Sequence, residues 1–205
     1  MVLKGQYLER PALVAASGVT LEGLYHRGER APPLLLCPPP REWGGMDAPA
    51  LAEMAWACAR AGHPSLRFQH RGVGGSQGAF DPARAVEDAE AALRHLAETT
   101  GILRVAVAGL GAGCETALAL ARVRPEIARV VLVAPERPPS DAPRAAALAL
   151  LPERGAAVRP DDLVPFLAPA GGRAEVVPGS DPQFRAGLPL VGRRAVEWIE
   201  AGADR

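Results

Sequence analysis

Residues 103–114 read Leu-Arg-Val-Ala-Val-Ala-Gly-Leu-Gly-Ala-Gly-Cys, and this stretch decides the fold class of the 205-residue chain. The apolar run at 103–110 lacks polar alternation, which is typical of a strand that is buried on both faces. A glycine-rich turn follows, and the spacing beyond it predicts a helix from about residue 114 to residue 123. A strand that passes directly into a helix in this way is the beginning of a βαβ unit.

The same alternation of elements extends over most of the chain. The predicted strands cover residues 34–37, 64–69 and 130–134, and the predicted helices between them cover residues 49–61 and 82–99. Strands and helices that alternate at this length favour an α/β fold, with a doubly wound, mostly parallel sheet and helices on both faces. Such sheets bind ligands at the carboxyl ends of their strands, so the loops that follow the buried strands are the candidate sites.

The two ends of the chain follow different patterns. Residues 7–14 and 19–25 alternate in character around a Ser-Gly turn, which predicts an N-terminal β-hairpin. Toward the C-terminus we predict a helix at 145–151, strands at 156–159 and 173–178, and a helix at 189–201. Because no repeat or linker interrupts the sequence, residues 1–205 are predicted to form a single domain.

Composition narrows the function classes. The formal net charge is zero, from 23 basic and 23 acidic residues, whereas proteins that bind nucleic acids or anionic membranes normally carry a basic excess. No apolar run approaches the roughly 18 residues of a membrane helix, and the N-terminus lacks the pattern of a secretory signal. The three cysteines form no CxxC pair, so neither a disulfide framework nor a zinc site is indicated. We therefore expect a cytoplasmic protein with no metal, cofactor, nucleic-acid partner or membrane association.

The glycine-rich turn has three interpretations. A dinucleotide fingerprint, G-x-G-x-x-G, would use Gly109 and Gly111 with Glu136 as the later acid, but its third position is Cys114. A nucleophile elbow, G-x-S-x-G, would use Gly109 and Gly113 as its flanking glycines, but its centre is Gly111, which has no side chain. The third interpretation is a structural turn that only packs the helix on the sheet.

Two longer stretches carry a specific resemblance. Residues 37–45 read Cys-Pro-Pro-Pro-Arg-Glu-Trp-Gly-Gly, and residues 67–78 read Arg-Phe-Gln-His-Arg-Gly-Val-Gly-Gly-Ser-Gln-Gly, followed by the acidic pair Glu87-Asp88. They resemble the His-Pro-His-Pro-x-x-x-Gly-Gly and Arg-Phe-Asn-x-Arg-Gly-Val-Gly-x-Ser-x-Gly segments of small single-domain α/β hydrolases, the branch related to dienelactone hydrolases and predicted serine esterases. The resemblance extends from about residue 8 to residue 199 and implies an α/β-hydrolase-like fold.

The resemblance also implies positions for a catalytic triad, two of which lack the required side chain. The nucleophile position is Gly111, and the histidine position, after Pro-Gly-x-Asp at residues 178–181, is Pro182. The acid position, four residues before the proline of a Val-Pro pair, is Asp161. A serine without a base is a poor nucleophile, and a base without a nucleophile has no acyl transfer to assist. This joint loss predicts a catalytically degenerate protein that binds a small ligand or a protein partner, as a monomer or an oligomer.

Other side chains could supply chemistry in the same cleft. Cys37 and His70 end two predicted strands and could form a pair, and Cys114 lies in the first helical turn, where a helix N-terminus lowers a thiol pKa. The alternative function is therefore an enzyme of this fold with a non-serine mechanism, such as a lyase, an isomerase or a cysteine-dependent transferase, that uses Cys37, His70 and Asp161. A dinucleotide-binding protein is a further alternative. The predicted ligand-binding residues are Cys37, Pro38, His70, Gly111 and Ala112.

Overall fold

The computed structural model describes residue 5 and residues 7–201, which form one eight-stranded sheet with five α-helices. The strands are β1 (Arg10–Ala16), β2 (Val19–His26), β3 (Leu34–Cys37), β4 (Ser65–Phe68), β5 (Val105–Leu110), β6 (Ile127–Val133), β7 (Ala146–Pro152) and β8 (Arg173–Val177). The helices are α1 (Pro49–Ala61), α2 (Ala85–Thr100), α3 (Gly113–Val123), α4 (Pro160–Leu167) and α5 (Leu188–Glu200). The strand order is β1-β2-β4-β3-β5-β6-β7-β8, with β1 and β4 antiparallel to β2 and all other pairs parallel. The predicted mostly parallel sheet with an N-terminal hairpin is confirmed.

Helices cover both faces of the sheet, as the sequence predicts. Leu35 packs in a core cluster with α2, α3 and α4, whereas Leu34 and Leu36 pack in a second cluster with α1 and α5. All residues of β3, β4 and β5 are buried, which explains why their sequences lack polar alternation. Within residues 7–201, no helix combines the length and the apolar character needed to cross a membrane.

Three predictions of individual elements were wrong. The predicted helix at 145–151 is strand β7, because this segment lies between β6 and β8 and its sheet pairing outweighs the helix preference of alanine and leucine. The predicted strand at 156–159 is an irregular segment before α4, since both edges of β7 are already paired. The first strand begins at Arg10 and not at Tyr7.

The central parallel strands all end on the same side of the sheet, which we call its carboxyl-terminal edge. β3 pairs with both β4 and β5, with Cys37 opposite Gly109, and β5 pairs with β6. The loops that follow these four strands therefore meet at this edge, where the sequence predicts a ligand site.

Candidate functional site

The turn between β5 and α3 has the tight geometry of a nucleophile elbow. A Cβ built on Gly109 would lie 2.3 Å from the carbonyl oxygen of Gly113, and one built on Gly113 would lie 2.5 Å from the carbonyl oxygen of Cys37. Neither position accepts a side chain. Gly111, at the centre, has a left-handed φ of +57°, and its N–H donates to the carbonyl of Val133 at 2.9 Å. The turn thus keeps the shape of an elbow without a nucleophile at its centre.

Side chains from two other loops lie against Gly111. A Cβ built there would be 3.3 Å from Oε1 of Glu136, after β6, and 3.3 Å from Cζ3 of Trp43, after β3. A small cavity of about 260 Å³ borders Trp43 and Leu110. A larger residue at position 111 would therefore have to displace the indole ring and the carboxylate by a few tenths of an ångström.

The position of Glu136 also bears on the dinucleotide interpretation. In that fingerprint the pyrophosphate binds at the N-terminus of the helix that follows the turn. Here the carboxylate of Glu136 lies beside Gly111, so a pyrophosphate at the start of α3 would meet a like charge. This arrangement disfavours dinucleotide binding at the turn.

The loops after β7 and β8 lie against one another. A Cβ built on Gly155, in the loop after β7, would lie 3.2 Å from Cγ of Pro182, in the loop after β8. Pro182 is the position at which the resemblance implies a histidine. Asp161, the acid that the resemblance implies, is an exposed residue in the first turn of α4, and its role stays a prediction.

The loop after β3 lacks backbone donors close to the strand. Pro38, Pro39 and Pro40 follow β3 directly, and proline carries no N–H. An oxyanion hole in this kind of site combines the N–H after the nucleophile, here that of Ala112, with an N–H from this loop. The first such N–H after the strand belongs to Arg41.

Both cysteines considered as reactive groups are buried. Cys37 and Cys114 are 0% and 2% exposed, and burial raises the pKa of the Cys37 thiol to about 12. Burial also raises the pKa of Cys114, which borders a cleft of about 650 Å³ and whose Sγ donates to the carbonyls of Gly109 and Val133. Desolvation therefore outweighs the helix N-terminus at both thiols, and a Cys37/His70 pair stays a prediction.

A cleft of about 650 Å³ opens on the α2 and α3 side of the sheet edge. It includes three of the predicted ligand-binding residues, Pro38, His70 and Ala112, whereas Cys37 and Gly111 are not part of its lining. Apolar atoms make up the larger part of the wall, and polar or charged side chains supply the rest, namely Arg41, Gln69, His70, Glu115, Thr116, Arg122, Glu136, Arg137 and Ser140. The apolar lining comes from Pro38, Pro39, Pro40, Val73, Phe80, Pro82, Ala85, Val86, Leu118, Ala119, Leu132 and Pro135.

His70 is the histidine of this cleft, and a buried carboxylate lies behind it. Nδ1 of His70 is 3.5 Å from Oδ2 of Asp88, which is fully buried on α2. Arg71 binds the same carboxylate through its backbone N–H at 3.0 Å and through Nε and Nη2 at 2.8 and 2.6 Å. The loop after β4 is thereby attached to α2, and the imidazole has a fixed orientation.

Two residues beside the elbow and the cleft were quoted by the sequence analysis only as parts of motifs, without a role. Asp88 carried a usable signal, because it lies next to Ala89 on the apolar side of α2 and a carboxylate there requires a partner. Trp43 carried none, since its contact with Gly111 depends on how two loops meet. Among residues 7–201, no group of three or more His, Cys, Asp or Glu side chains is arranged to hold a metal ion.

Comparison with known proteins identifies the fold. No family model and no curated protein matches the sequence. Among solved structures, an α/β-hydrolase candidate of unknown function from Agrobacterium tumefaciens superposes with a TM-score of 0.79 at 22% identity, over 92% of this chain and 94% of that one. An alpha-beta serine hydrolase homologue from Coxiella burnetii gives 0.79 at 23% identity, over 92% and 96%. A dienelactone hydrolase from Anabaena variabilis gives 0.73 at 18%, over 96% and 99%. The chain therefore has the α/β-hydrolase fold.

Proposed function

We propose that this α/β-hydrolase-fold protein does not hydrolyse esters and instead binds a small, mainly apolar molecule in the 650 Å³ cleft. The observation that carries the proposal is Gly111, which keeps the left-handed backbone of the elbow centre but has no side chain to attack a substrate. Nucleophilic acyl transfer requires an oxygen or sulfur atom at that point.

The other parts of the hydrolytic machinery support the same conclusion. Pro182, at the histidine position that the resemblance implies, carries no ionisable group. The three prolines after β3 remove the nearest partners for an oxyanion. Because these groups act as a unit in hydrolases, their combined absence is what relaxed selection for hydrolysis produces.

The cleft supports a binding role. Its volume of about 650 Å³ falls within the range of roughly 300–1,000 Å³ that is usual for small-molecule sites, and its lining combines a larger apolar area with polar and charged groups. A protein partner or a second copy of the chain is the weaker form of the proposal, since within residues 7–201 no surface argues for either as clearly as the cleft argues for a small molecule. The three unpaired cysteines suit a reducing compartment, so we also propose a cytoplasmic location.

The competing function is an enzyme with a non-serine mechanism. Of the three residues proposed for it, Cys37, His70 and Asp161, only His70 lines the cleft. Cys37 is buried away from it and Asp161 is exposed on α4, which leaves His70. A cysteine-dependent transferase is therefore disfavoured, and any remaining chemistry would depend on the imidazole.

The decisive experiment is an ester-hydrolysis assay of the wild-type protein with 4-nitrophenyl acetate and butyrate. We expect no turnover above that of the heat-denatured protein. Turnover that is abolished by phenylmethylsulfonyl fluoride would overturn the proposal, because it would reveal an active serine elsewhere in the molecule.

A single substitution separates the loss of the nucleophile from the loss of the base. Gly111→Ser restores the hydroxyl at the elbow, at a strain of about 1 kcal/mol for a side chain in the left-handed region. We expect this variant to remain inactive, since Pro182 supplies no base. If Gly111→Ser hydrolyses the esters, the assignment of Pro182 as the base position is wrong.

A further inference from the structure

We propose that His70 is the hydrogen-bond and proton acceptor of the 650 Å³ cleft, that Asp88 positions it, and that the cleft takes small apolar compounds with an acidic hydroxyl group, such as phenols and enols. This inference rests on the proposed ligand-binding function and names the ligand chemistry of that site. Neither the sequence motifs nor the similar structures assign a role to this pair.

The environment of His70 leaves one ring nitrogen without a protein partner. The residue is 8% exposed, and its ring meets that of Phe68 edge-on, with centroids 5.2 Å apart. Nδ1 lies 3.5 Å from Oδ2 of Asp88 as an ion-pair contact without a geometric hydrogen bond, and the described residues provide no contact of either kind to Nε2. Because the two nitrogens lie on opposite sides of the imidazole and the ring lines the cleft, Nε2 is the nitrogen available to a ligand.

Asp88 determines which nitrogen carries the proton. Burial raises the pKa of Asp88, but its interactions with His70 and Arg71 outweigh burial and hold that pKa below its ordinary value. The carboxylate of Asp88, 3.5 Å from Nδ1, favours the tautomer with the proton on Nδ1 and the lone pair on Nε2. The cleft therefore presents an acceptor to its ligand.

The charges around the cleft are compatible with a ligand oxygen that gives up its proton. The guanidinium groups of Arg71 and Arg84 are matched by the carboxylates of Glu87 and Asp88. The lining itself carries three guanidinium groups, those of Arg41, Arg122 and Arg137, and two carboxylates, those of Glu115 and Glu136. An acidic O–H can therefore donate to Nε2.

Full proton transfer at this position is balanced. The ligand O–H bond breaks, the ligand oxygen keeps the electron pair, and a new N–H bond forms at Nε2. The resulting imidazolium lies between the ligand oxyanion and Asp88, and the total charge of the complex is unchanged.

The walls of the cleft select the rest of the ligand. Proline rings from the loops after β3 and β6 face Phe80, Val86 and Leu118 across the cavity. Flat apolar surfaces of this kind pack well against an aromatic ring or a conjugated chain, so we expect the body of the ligand to be planar and apolar.

The test compares 4-nitrophenol with its methyl ether, 4-nitroanisole, in which a methyl group replaces the hydroxyl proton. We expect wild-type protein to bind 4-nitrophenol about tenfold more tightly, as one buried hydrogen bond allows. Bound 4-nitrophenol should show phenolate absorption at a pH at which the free probe is protonated. His70→Phe should abolish both the preference and the phenolate band, whereas His95→Phe, which removes a histidine of α2 outside the cleft, should behave as wild type.

Two further measurements keep the test decisive. Ala119→Phe narrows the cleft wall and should weaken binding of both probes. If wild type binds both probes and His70→Phe binds each of them with the same affinity as wild type, the proposed role of His70 is wrong, whereas the proposed ligand binding stands. If neither probe binds, or Ala119→Phe has no effect, the proposed binding function itself fails at this cleft.

Nitrogen-15 NMR of the free protein requires no variant, and a proton found on Nε2 of His70 would overturn the inference.

Discussion

At the scale of single residues, the elbow glycines have different physical roles. Gly109 and Gly113 are glycines because a Cβ would collide with backbone atoms, which cannot move without shifting the helix. Gly111 is not crowded to that degree, and its neighbours are the ends of the Trp43 and Glu136 side chains. The flanking glycines are thus required by packing alone, and they are expected in this fold whether or not the centre is catalytic.

A pair of substitutions tests this distinction. Gly109→Ala should lower the free energy of unfolding by about 3 kcal/mol, because the new Cβ meets the carbonyl oxygen of Gly113. Gly101→Ala, at the end of α2, has a left-handed φ of +69° but open space around it, and should cost only about 1 kcal/mol. Urea unfolding of both variants measures the difference, and equal losses would contradict the steric argument.

At the scale of elements, the ion pair between the loop after β4 and helix α2 holds the His70 side of the cleft in place. Arg71 is 3% exposed and donates three hydrogen bonds to Asp88, two of them from its guanidinium. Removing one partner of such a buried pair leaves the other charge uncompensated, and this loss is much larger than that of a surface pair.

Asp88→Asn should therefore lower stability by about 3 kcal/mol at pH 7. Since the pKa of Asp88 is lower in the folded than in the unfolded state, its stabilisation is complete above the unfolded pKa and is lost as the pH falls through the folded pKa. The difference between wild type and variant should thus shrink in acid. Asp162→Asn, which weakens a solvent-accessible pair with Arg159 and keeps an oxygen for the backbone N–H of that residue, is the control and should lower stability much less. A difference that stays the same from neutral pH into acid would show that the charge of Asp88 is irrelevant.

At the scale of the whole molecule, one sheet connects the two ends of the chain. The hairpin β1-β2 lies at one edge, β8 lies at the other, and α5 returns to pack beside α1. The core clusters on both faces draw residues from strands throughout this sheet. We therefore expect residues 7–201 to unfold as one cooperative unit, in keeping with the proposal of a single domain.

Equilibrium unfolding in urea tests this expectation. Far-UV circular dichroism reports on the helices and the sheet together, whereas tryptophan fluorescence reports on Trp43 at the elbow, Trp56 on α1 and Trp198 on α5. The two signals should give the same midpoint. Separate transitions would show that the chain folds as more than one unit.

The sequence by itself determined the features that depend on neighbours along the chain. Apolar runs without alternation identified the buried central strands, and the order of elements identified the α/β class. The glycine at the elbow centre, Gly111, is an identity at a single position, so the absence of a nucleophile there follows from the sequence alone. These inferences succeed because the preference of a short segment, or the chemistry of a single position, is local.

Only the tertiary structure decided which distant residues meet. It made a strand of the alanine- and leucine-rich segment β7, because that segment lies between two other strands. It placed Gly155 beside Pro182, buried Cys37 and Cys114, and brought Asp88 behind His70. Each of these outcomes depends on how the whole sheet and its helices pack, and the energy of a contact between residues far apart in sequence leaves no local pattern to read.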